Sequence, residues 1–525
     1  MAKNPGATAL RYFDGGLSAQ EVDAASDALA AAFAARGTGR GDRVGVYLQN
    51  IPQYALVMLA LWKLGATVLG LNPMYRRQEL RRIVDDAGAV GIVCADTDAE
   101  ETLDTLAGST VRWLISTSAL DLQSRDDRRV FASTDRTAPA PDGDLLALIE
   151  EFSGRRPAPL PLTRDDVAFL TYTSGTTGPP KGAMNTHGNV LSVVGTCKSW
   201  TRLGDGDVVL AIAPLFHITG AVANAALSLL TDTTLVLTGR FHPEVVLEAF
   251  AEHGVTYTIG SITAYNAIYE LPQARPEHFA AAKALYSGGA PIPPATIERF
   301  QERFGVYIHN GYGMTETTSA VIAVPPGQRA PIHPPSGTLS IGLPLPHLAA
   351  RVVDLHGDPV PSGEQGELEL SGPQVVPGYW GKPEETRQAM PEGRLRTGDV
   401  AVIDERGWVY LVDRLKDQIN VSGYKVWPRE VEDALYEHPS VLEAAVVGEP
   451  DEYRGETVVA HVSLKAGRSA TEEELIAFSR ERLAAYKCPR RIHFVADLPK
   501  TQTGKIRRAE LRTAAGSEPS APSKD

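Results

Sequence analysis

Apolar runs with helical and strand-like patterns alternate through the first part of the chain. An alanine-rich stretch over residues 24–36 predicts a helix, and the apolar run 44–48 predicts a strand. Pro52 stands where a helix is expected to begin, because the first helical turn has no use for the missing amide. The apolar run 54–70 contains Lys63 and is short for a bilayer, so it predicts a buried helix followed by a strand. Units of this kind indicate α/β layers around a largely parallel sheet.

The pattern changes three times further along. Residues 121–165 are less regular, and the α/β pattern then resumes and runs to about residue 304. Residues 352–370 contain short alternating runs with glycine-rich turns, which predict a small β-barrel or distorted sheet. After the charged stretch 413–417, a compact segment with its own helices and strands follows. The chain therefore divides into a large first part and a smaller last part.

Composition narrows the class of protein. The 525 residues are 43% hydrophobic and 22% charged, which is typical of a globular protein with a large core. The formal net charge of −13 makes nucleic acid an unexpected partner. The three cysteines form no paired motif, and the N-terminus has no signal-like apolar region, so we expect a cytoplasmic protein without integral membrane association.

The segment after the apolar run 167–172 carries the first chemical signal. It is rich in glycines, hydroxyl groups and one lysine, which together suit the binding of phosphate oxygens. The usual P-loop is excluded, since a glycine follows the lysine and residues 183–186 predict another strand rather than a helix. The simpler alternative is a flexible turn. The candidate phosphate-binding residues are Thr173, Ser174, Gly175, Thr176, Thr177, Gly178 and Lys181.

This segment resembles the signature of the adenylate-forming enzymes, a superfamily of acyl-CoA synthetases, peptide-synthetase adenylation domains and beetle luciferases. Further segments match in the expected order over nearly the whole chain. The resemblance implies an N-terminal AMP-binding domain over residues 1–413, built from two doubly wound α/β subdomains and a small β-barrel. It also implies a hinge at 414–416 and a smaller mobile α+β domain at 417–525, of which we expect residues 513–525 to be disordered.

The resemblance also implies the activity and its small molecules. A carboxylic acid would react with ATP and Mg²⁺ to give an acyl-adenylate and pyrophosphate, and coenzyme A would then take the acyl group and release AMP. A carrier protein is the less favoured acceptor. Small and apolar residues near 217–220, 259–266, 287–290 and 315–320 favour a hydrophobic acid.

Several residues of the large domain take roles from the resemblance. Tyr312 would stack on adenine, Thr315 would meet the α-phosphate, and Glu316 would hold Mg²⁺. Asp399 would bind the ribose hydroxyls, and His217 would act as an aromatic gate at the acyl site. The segments that line adenine and the acyl group are Ser287, Gly288, Gly289 and Ala290, together with Asn310 and Gly311.

The remaining candidates lie around the hinge and in the small domain. Arg414 would contact the ribose or phosphate, and Lys416 would be the pivot. Lys505 would drive adenylation. After rotation of the small domain, Gly423 and Tyr424 would replace it and line the pantetheine passage. Two alternatives remain at this point: an enzyme with only one half-reaction, and a nucleotide or acyl-adenylate sensor without turnover.

Overall fold

The protein is represented by a computed structural model, which describes residues 4–131, 133, 135–173, 180–290, 292–334, 337–414, 417–421, 424–451, 454–500 and 506–515. The strands of these residues, in chain order, are β1 (Thr8–Tyr12), β2 (Gly15–Ser18), β3 (Arg43–Tyr47), β4 (Thr67–Gly70), β5 (Gly91–Ala95), β6 (Trp113–Thr117), β7 (Val167–Tyr172), β8 (Gly182–Thr186), β9 (Val208–Leu210), β10 (Thr234–Leu237), β11 (Tyr257–Gly260), β12 (Ala284–Gly288), β13 (Ile308–Met314), β14 (Ser319–Ala323), β15 (Leu343–Pro344), β16 (Ala349–Val353), β17 (Gln365–Ser371), β18 (Leu395–Ile403), β19 (Val409–Arg414), β20 (Ile419–Val421), β21 (Tyr424–Val426), β22 (Val441–Asp451), β23 (Gly455–Leu464) and β24 (Arg491–Phe494).

Helices alternate with these strands. They are α1 (Ala19–Ala35), α2 (Pro52–Lys63), α3 (Arg77–Ala87), α4 (Ala99–Leu106), α5 (Leu145–Glu151), α6 (His187–Thr201), α7 (Ile218–Gly220), α8 (Leu227–Leu230), α9 (Pro243–His253), α10 (Ile262–Tyr269), α11 (Pro294–Phe304), α12 (Pro383–Ala389), α13 (Pro428–Tyr436), α14 (Glu472–Arg480) and α15 (Arg508–Ala515). Short 3₁₀ turns cover Asp96–Asp98, Pro276–Phe279, Thr315–Thr317 and Pro391–Gly393, and a π-helix covers Ala221–Ala226. No helix in the described ranges combines the length and apolarity needed to cross a bilayer.

Two mixed sheets form the body of the large part. One has the order β6-β5-β3-β4-β7-β8 and the other β15-β14-β13-β12-β11-β9-β10-β1-β2. Their central pairs are parallel, and antiparallel pairs occur at the edges, as in β7–β8 and β13–β14. Buried residues of both sheets belong to one continuous core, including Val44, Phe169 and Val209. The α/β architecture predicted from the sequence is therefore confirmed.

Two smaller sheets follow. The segment predicted to form a small β-barrel is a four-stranded antiparallel sheet with the order β16-β17-β18-β19. The strands after residue 417 form a separate sheet, β21-β20-β23-β22 with β24 beside β23, and this sheet has its own apolar core around Ile419, Val446 and Leu475. The domain boundaries at 413 and 417 remain predictions, since residues 415 and 416 lie outside the described ranges.

The elements differ from the sequence predictions in three places. Helix α1 begins at Ala19 because Ser18 and Glu21 form a capping box that stabilises an earlier start. Helix α5 lies within the region predicted to be irregular, where Asp144 caps its first amides. Helix α15 continues to Ala515, so residues 513–515 are helical although they were assigned to the disordered tail. Residues 516–525 lie outside the described ranges.

Candidate nucleotide and acyl site

The predicted phosphate-binding segment connects two neighbouring antiparallel strands. Strands β7 and β8 pair antiparallel, and the Thr173 amide donates a hydrogen bond of 2.9 Å to the carbonyl of Lys181 at the base of the loop. The strand predicted after the lysine is thus present, and the exclusion of a P-loop is confirmed. The rest of the predicted loop lies outside the described residues, namely Ser174, Gly175, Thr176, Thr177 and Gly178.

Glu316 lies in the 3₁₀ turn that follows β13, and three residues from two other segments hold this turn. The Tyr379 hydroxyl donates to Glu316 Oε1 at 2.7 Å, and the Val376 amide donates to the Glu316 carbonyl at 2.9 Å. From β8, Asn185 Nδ2 donates to the Thr315 carbonyl at 2.9 Å. Because Glu316 is only 8% exposed, these bonds fix its carboxylate in a nearly water-free position.

Lys181 reaches the same tyrosine from the hairpin. Its Nζ lies 5.2 Å from the centroid of the Tyr379 ring, a cation–π contact of the kind that contributes roughly 0.5–1 kcal/mol or more. Burial, and next the charge of Glu316, raise the pKa of Tyr379 far above its usual value, so its hydroxyl stays a proton donor. Within the described residues, neither Lys181 nor Glu316 forms an ion pair. As far as the described residues go, no opposite charge of the protein neutralises either group.

One carboxylate is enough for a nucleotide-bound Mg²⁺. The described ranges contain no group of three or more His, Cys, Asp or Glu side chains that could hold a metal ion. Mg²⁺ does not need such a group, because it is commonly bound by one or two carboxylates together with waters and substrate phosphates. Glu316, with one oxygen bonded to Tyr379, fits that requirement beside Lys181.

The candidates for the adenosine side meet at a second point. The Tyr312 hydroxyl donates to Asp399 Oδ2 at 2.6 Å. Asp399 lies opposite Arg414 in the β18–β19 pair, so the backbone places these two predicted contacts side by side. The backbone before Asp399 is held by Glu367, which accepts a 3.0 Å hydrogen bond from the Gly398 amide. An aromatic ring next to a carboxylate suits a base linked to a ribose.

The segment predicted to line adenine, at the end of β12, consists of small residues. Ser287 pairs with Asn310, and Gly288 pairs with Gly311, along β12 and β13. A Cβ atom at position 288 would lie 2.7 Å from the Gly311 carbonyl oxygen, so only glycine fits there. Next to it, Gly289 has a φ of +83° and Ala290 is partly buried. A flat ligand can approach such a surface closely.

His217 caps a short helix next to the predicted acyl pocket. Its Nδ1 accepts a 3.3 Å hydrogen bond from the Thr219 amide, and its side chain is partly buried. The π-helix that follows contains Asn224, which is completely buried and whose two amide atoms have no hydrogen-bond partner among the described residues. Asn224 is thus a buried amide in a π-helix close in sequence to His217, and π-helices occur frequently at functional sites.

The candidates of the small lobe are only partly visible. Lys416, Gly423 and Lys505 lie outside the described residues, and for Arg414 only the backbone is described. Tyr424 is 61% exposed, and its ring lies 4.9 Å from that of Tyr486 in the same lobe. The described structure therefore brings Lys181 and Glu316 to Tyr379 and brings Tyr312 to Asp399, and the binding roles of all the candidates remain predictions.

Sequence reasoning missed three residues that hold the site. Asn185 and Tyr379 fix the Glu316 turn, and Glu367 fixes the backbone before Asp399. Asn185 is completely buried in the middle of a strand, and a polar residue in such a run was the available signal. Nothing in the local pattern around Tyr379 or Glu367 distinguishes them.

Known families and proteins resemble this chain over most of its length. Residues 1–380 match the family described as AMP-binding enzyme, and residues 430–505 match the AMP-binding enzyme C-terminal domain. The chain is 35% identical to a long-chain-fatty-acid–CoA ligase of Bacillus subtilis (strain 168), over 97% of this chain and 92% of that relative. It is also 35% identical to a feruloyl-CoA synthase of Amycolatopsis sp, over 98% of this chain and 97% of that relative. Among solved structures, ATP-bound MatB from Rhodopseudomonas palustris superposes with a TM-score of 0.87 at 28% identity, covering 98% of this chain and 96% of MatB.

The chain belongs to the AMP-binding enzyme family, within the adenylate-forming superfamily. More particularly, it is an ATP-dependent, AMP-forming acyl-CoA ligase that works with ATP, Mg²⁺ and coenzyme A. It converts a carboxylic acid and ATP into an acyl-adenylate and pyrophosphate, and it then transfers the acyl group to coenzyme A with release of AMP.

Proposed function

We propose that the large part of this ligase binds MgATP between two points, with Lys181 and Glu316 at the phosphates and Tyr312 and Asp399 at the adenosine. The observation that carries the proposal is that Lys181 and Glu316, which come from separate segments, meet at the Tyr379 side chain while neither is neutralised by an ion pair in the described structure. A charge left unpaired in a buried place is costly unless a ligand meets it.

In the first step, a carboxylate oxygen of the acid forms a bond to the α-phosphorus, and the bond from that phosphorus to the pyrophosphate oxygen breaks. Both reactants are anions, so the residues must cancel charge and fix the geometry. Lys181 and the hairpin amides would hold the departing phosphates, and Thr315 would contact the α-phosphate. Mg²⁺ on Glu316 would supply positive charge at the phosphate oxygens. Lys505 would bridge the acid and the α-phosphate.

In the second step, the thiol sulfur of coenzyme A bonds to the acyl carbon, and the bond from that carbon to the AMP oxygen breaks. Lys505 has no task in this step. A rotation about Lys416 would remove it and bring Gly423 and Tyr424 to the pantetheine passage, and His217 would move aside to admit the thiol. Such a hinge movement separates two reactions that share one site.

The acid is proposed to be hydrophobic. Ile218, Ile259, Ile262, Ala264 and Ala320 supply apolar surface along the pocket segments, and four of the five are buried. The relatives with known acids include a long-chain-fatty-acid ligase and a feruloyl-CoA synthase. A cytoplasmic location is also proposed, supported by three buried cysteines that are all free.

The acid is tested by a panel with ATP, Mg²⁺ and coenzyme A, in which pyrophosphate and thioester are measured separately. Long-chain fatty acids and ferulic acid are compared with acetate and malonate. We expect kcat/KM for the best hydrophobic acid to exceed that of the small polar acids by about 100-fold, since each buried methylene adds roughly 0.8 kcal/mol. A preference for malonate would contradict the proposed acid class without touching the ligase activity.

The role of Lys505 is tested with Lys505→Ala. Loss of its charge should reduce acyl-adenylate formation about 100-fold or more, because the two anions then lose the bridging cation. Thioester formation from a supplied acyl-adenylate should stay within about threefold of wild type. Lys500→Ala is the matched control, because Lys500 belongs to the same segment but pairs with Glu443 and Asp497. Equal losses in both half-reactions of the Lys505 variant would refute the assignment.

A further inference from the structure

Tyr379 has no role among the predicted motifs, yet its backbone is built into the phosphate-binding region. It forms an isolated antiparallel bridge with Ala183 of β8, and the neighbouring Trp380 amide donates to the Gly182 carbonyl at 2.8 Å. The Tyr379 amide itself donates to Thr386 Oγ1 at 2.9 Å. The tyrosine is therefore anchored directly beside the strand that begins after Lys181, and it is only 7% exposed.

Its side chain contacts both charged groups of the site at once. The hydroxyl donates to Glu316 Oε1 at 2.7 Å, and the ring faces Lys181 Nζ at 5.2 Å from the centroid. Glu316 and Lys181 form no ion pair with each other or with any other described residue. An anion and a cation this close to one side chain would gain by pairing directly in a poorly solvated place. The tyrosine stands where that pairing would otherwise form.

We propose that Tyr379 is a positioning residue that keeps Glu316 and Lys181 apart and ready for MgATP. This inference rests on the function proposed above. The hydroxyl satisfies one carboxylate oxygen of Glu316 and leaves the other for the metal ion. The ring holds the Lys181 ammonium by its face, which is weaker than a carboxylate and is given up readily to a phosphate. A neutral hydrogen-bond donor at this position thus prevents Glu316 and Lys181 from neutralising each other.

Tyr379→Phe is the decisive variant, because it removes the hydroxyl and keeps the ring. The first readout is binding without turnover: the dissociation constant of ATP is measured by calorimetry with and without Mg²⁺, with no acid present. We expect metal-free ATP to bind about threefold more weakly than to wild type, because Lys181 must then leave Glu316 to reach a phosphate. The ratio of the ATP dissociation constants without and with Mg²⁺ should be about tenfold smaller in Tyr379→Phe than in wild type. The reason is that Glu316 is then drawn toward Lys181.

Kinetics supply the second readout. The Mg²⁺ concentration that half-saturates pyrophosphate release should rise about tenfold in Tyr379→Phe. Thioester formation from a supplied acyl-adenylate should stay within about twofold, since it involves no triphosphate. Tyr379→Leu, which also removes the ring, should in addition weaken metal-free ATP binding by about threefold through Lys181.

Tyr410→Phe is the matched control. Tyr410 is also buried, and its hydroxyl donates to Asp404 Oδ2 at 3.0 Å in another part of the fold. This variant loses a tyrosine–carboxylate bond without touching the site, so its Mg²⁺ dependence should equal that of wild type. If Tyr379→Phe behaves like Tyr410→Phe, or if it lowers both half-reactions equally, the inference is overturned.

Glu316→Gln separates this inference from the proposed function. If Glu316→Gln leaves the Mg²⁺ dependence of ATP binding unchanged, the proposed metal role of Glu316 itself fails. If Glu316→Gln abolishes that dependence while Tyr379→Phe preserves it, only the role of Tyr379 fails. Loss of Mg²⁺ dependence in both variants supports both.

Discussion

The phosphate corner of this ligase and the charged cluster beside its hinge differ in whether their charged side chains form ion pairs within the protein. The phosphate corner consists of Lys181, Glu316 and Tyr379, and a neutral tyrosine contacts both charges. In the hinge-side cluster, which consists of Asp413, Asp417, Glu432, Asp433, Arg429, Arg508 and Arg512, most charges are met by opposite charges of the protein itself.

Arg508 is the centre of the hinge-side cluster. Its Nη2 lies 2.6 Å from Glu432 Oε2, and its Nη1 lies 3.4 Å from Asp417 Oδ2 and 3.8 Å from Asp413 Oδ1. Asp413 and Asp417 stand on either side of the predicted hinge, so this arginine connects the two with the last helix. The charges of the hinge-side cluster are paired inside the protein, whereas the two charges proposed to hold MgATP form no ion pair among the described residues.

The largest expected effect comes from removing the anion of the phosphate corner. Glu316→Gln keeps the size of the side chain and removes the charge that would hold Mg²⁺, so acyl-adenylate formation should fall by about 1000-fold. Pyrophosphate release measures this step. Transfer from a supplied acyl-adenylate should stay within about threefold.

Glu244→Gln is a suitable control for that experiment. Glu244 lies on the surface with 38% of its side chain exposed and pairs with Arg129 at 3.4 Å, so its loss should leave both half-reactions unchanged. An equally small effect of Glu316→Gln on adenylation would show that Glu316 does not belong to the phosphate-binding site.

The next effect concerns stability and the other cluster. Arg508→Met leaves Glu432 without its arginine and removes one of the two arginines that pair with Asp417, in a place where the Arg508 side chain is only 16% exposed. Breaking a buried pair on one side typically costs about 3 kcal/mol or more. Hydrogen exchange of amides in α13 and β22 during urea unfolding should report this loss in the small lobe.

The neighbouring Arg507 provides the control for Arg508. Its side chain is 48% exposed and pairs with Glu510 at 2.7 Å, so Arg507→Met should change the free energy of unfolding by less than about 0.5 kcal/mol. Equal effects of the two substitutions would show that the buried pairs beside the hinge contribute no more than a surface pair.

The comparison also explains what the sequence could predict. The run 167–172 is bounded by polar and glycine-rich residues, and β7 has these limits in the structure. A further strand was predicted over residues 183–186, and β8 contains these residues. Local apolar patterns fix such elements, since they depend on neighbours in the chain.

The sequence predicted only some of the contacts between residues that are distant in the chain. The meeting of Tyr312 and Asp399 followed from family resemblance, since the residues belong to different sheets. Tyr379 gave no signal, because its importance comes from Glu316 and Lys181, which reach it from other segments. A neutral residue between two charges has no sequence pattern of its own. Likewise, the seven-residue helix α5 is too short to show a clear period.

The smallest expected effect is a pH dependence within the hinge-side cluster. Asp433 has a pKa raised to about 6, mainly by burial, while Arg429 opposes the shift and Glu432 and Asp413 add to it. Its Oδ2 has no hydrogen-bond partner among the described residues and lies 3.5 Å from Arg429 Nε. Since the folded pKa lies above the unfolded value of 3.8, the folded state holds its proton more tightly, and this contribution to stability is lost as the pH rises from about 4 to above 6.

Asp433→Asn removes this titration and keeps the shape of the side chain. Relative to wild type, the variant should be nearly unchanged at pH 4.5 and more stable by about 1 kcal/mol at pH 7.5, a value below the full shift because the substitution also takes a partner from Arg429. Urea unfolding at the two pH values measures the difference. If the variant is less stable than wild type at pH 7.5, the ion pair with Arg429 outweighs the cost of burying the Asp433 charge. Every charge of the hinge-side cluster would then be stabilised by an opposite charge, and the contrast with the phosphate corner would be stronger.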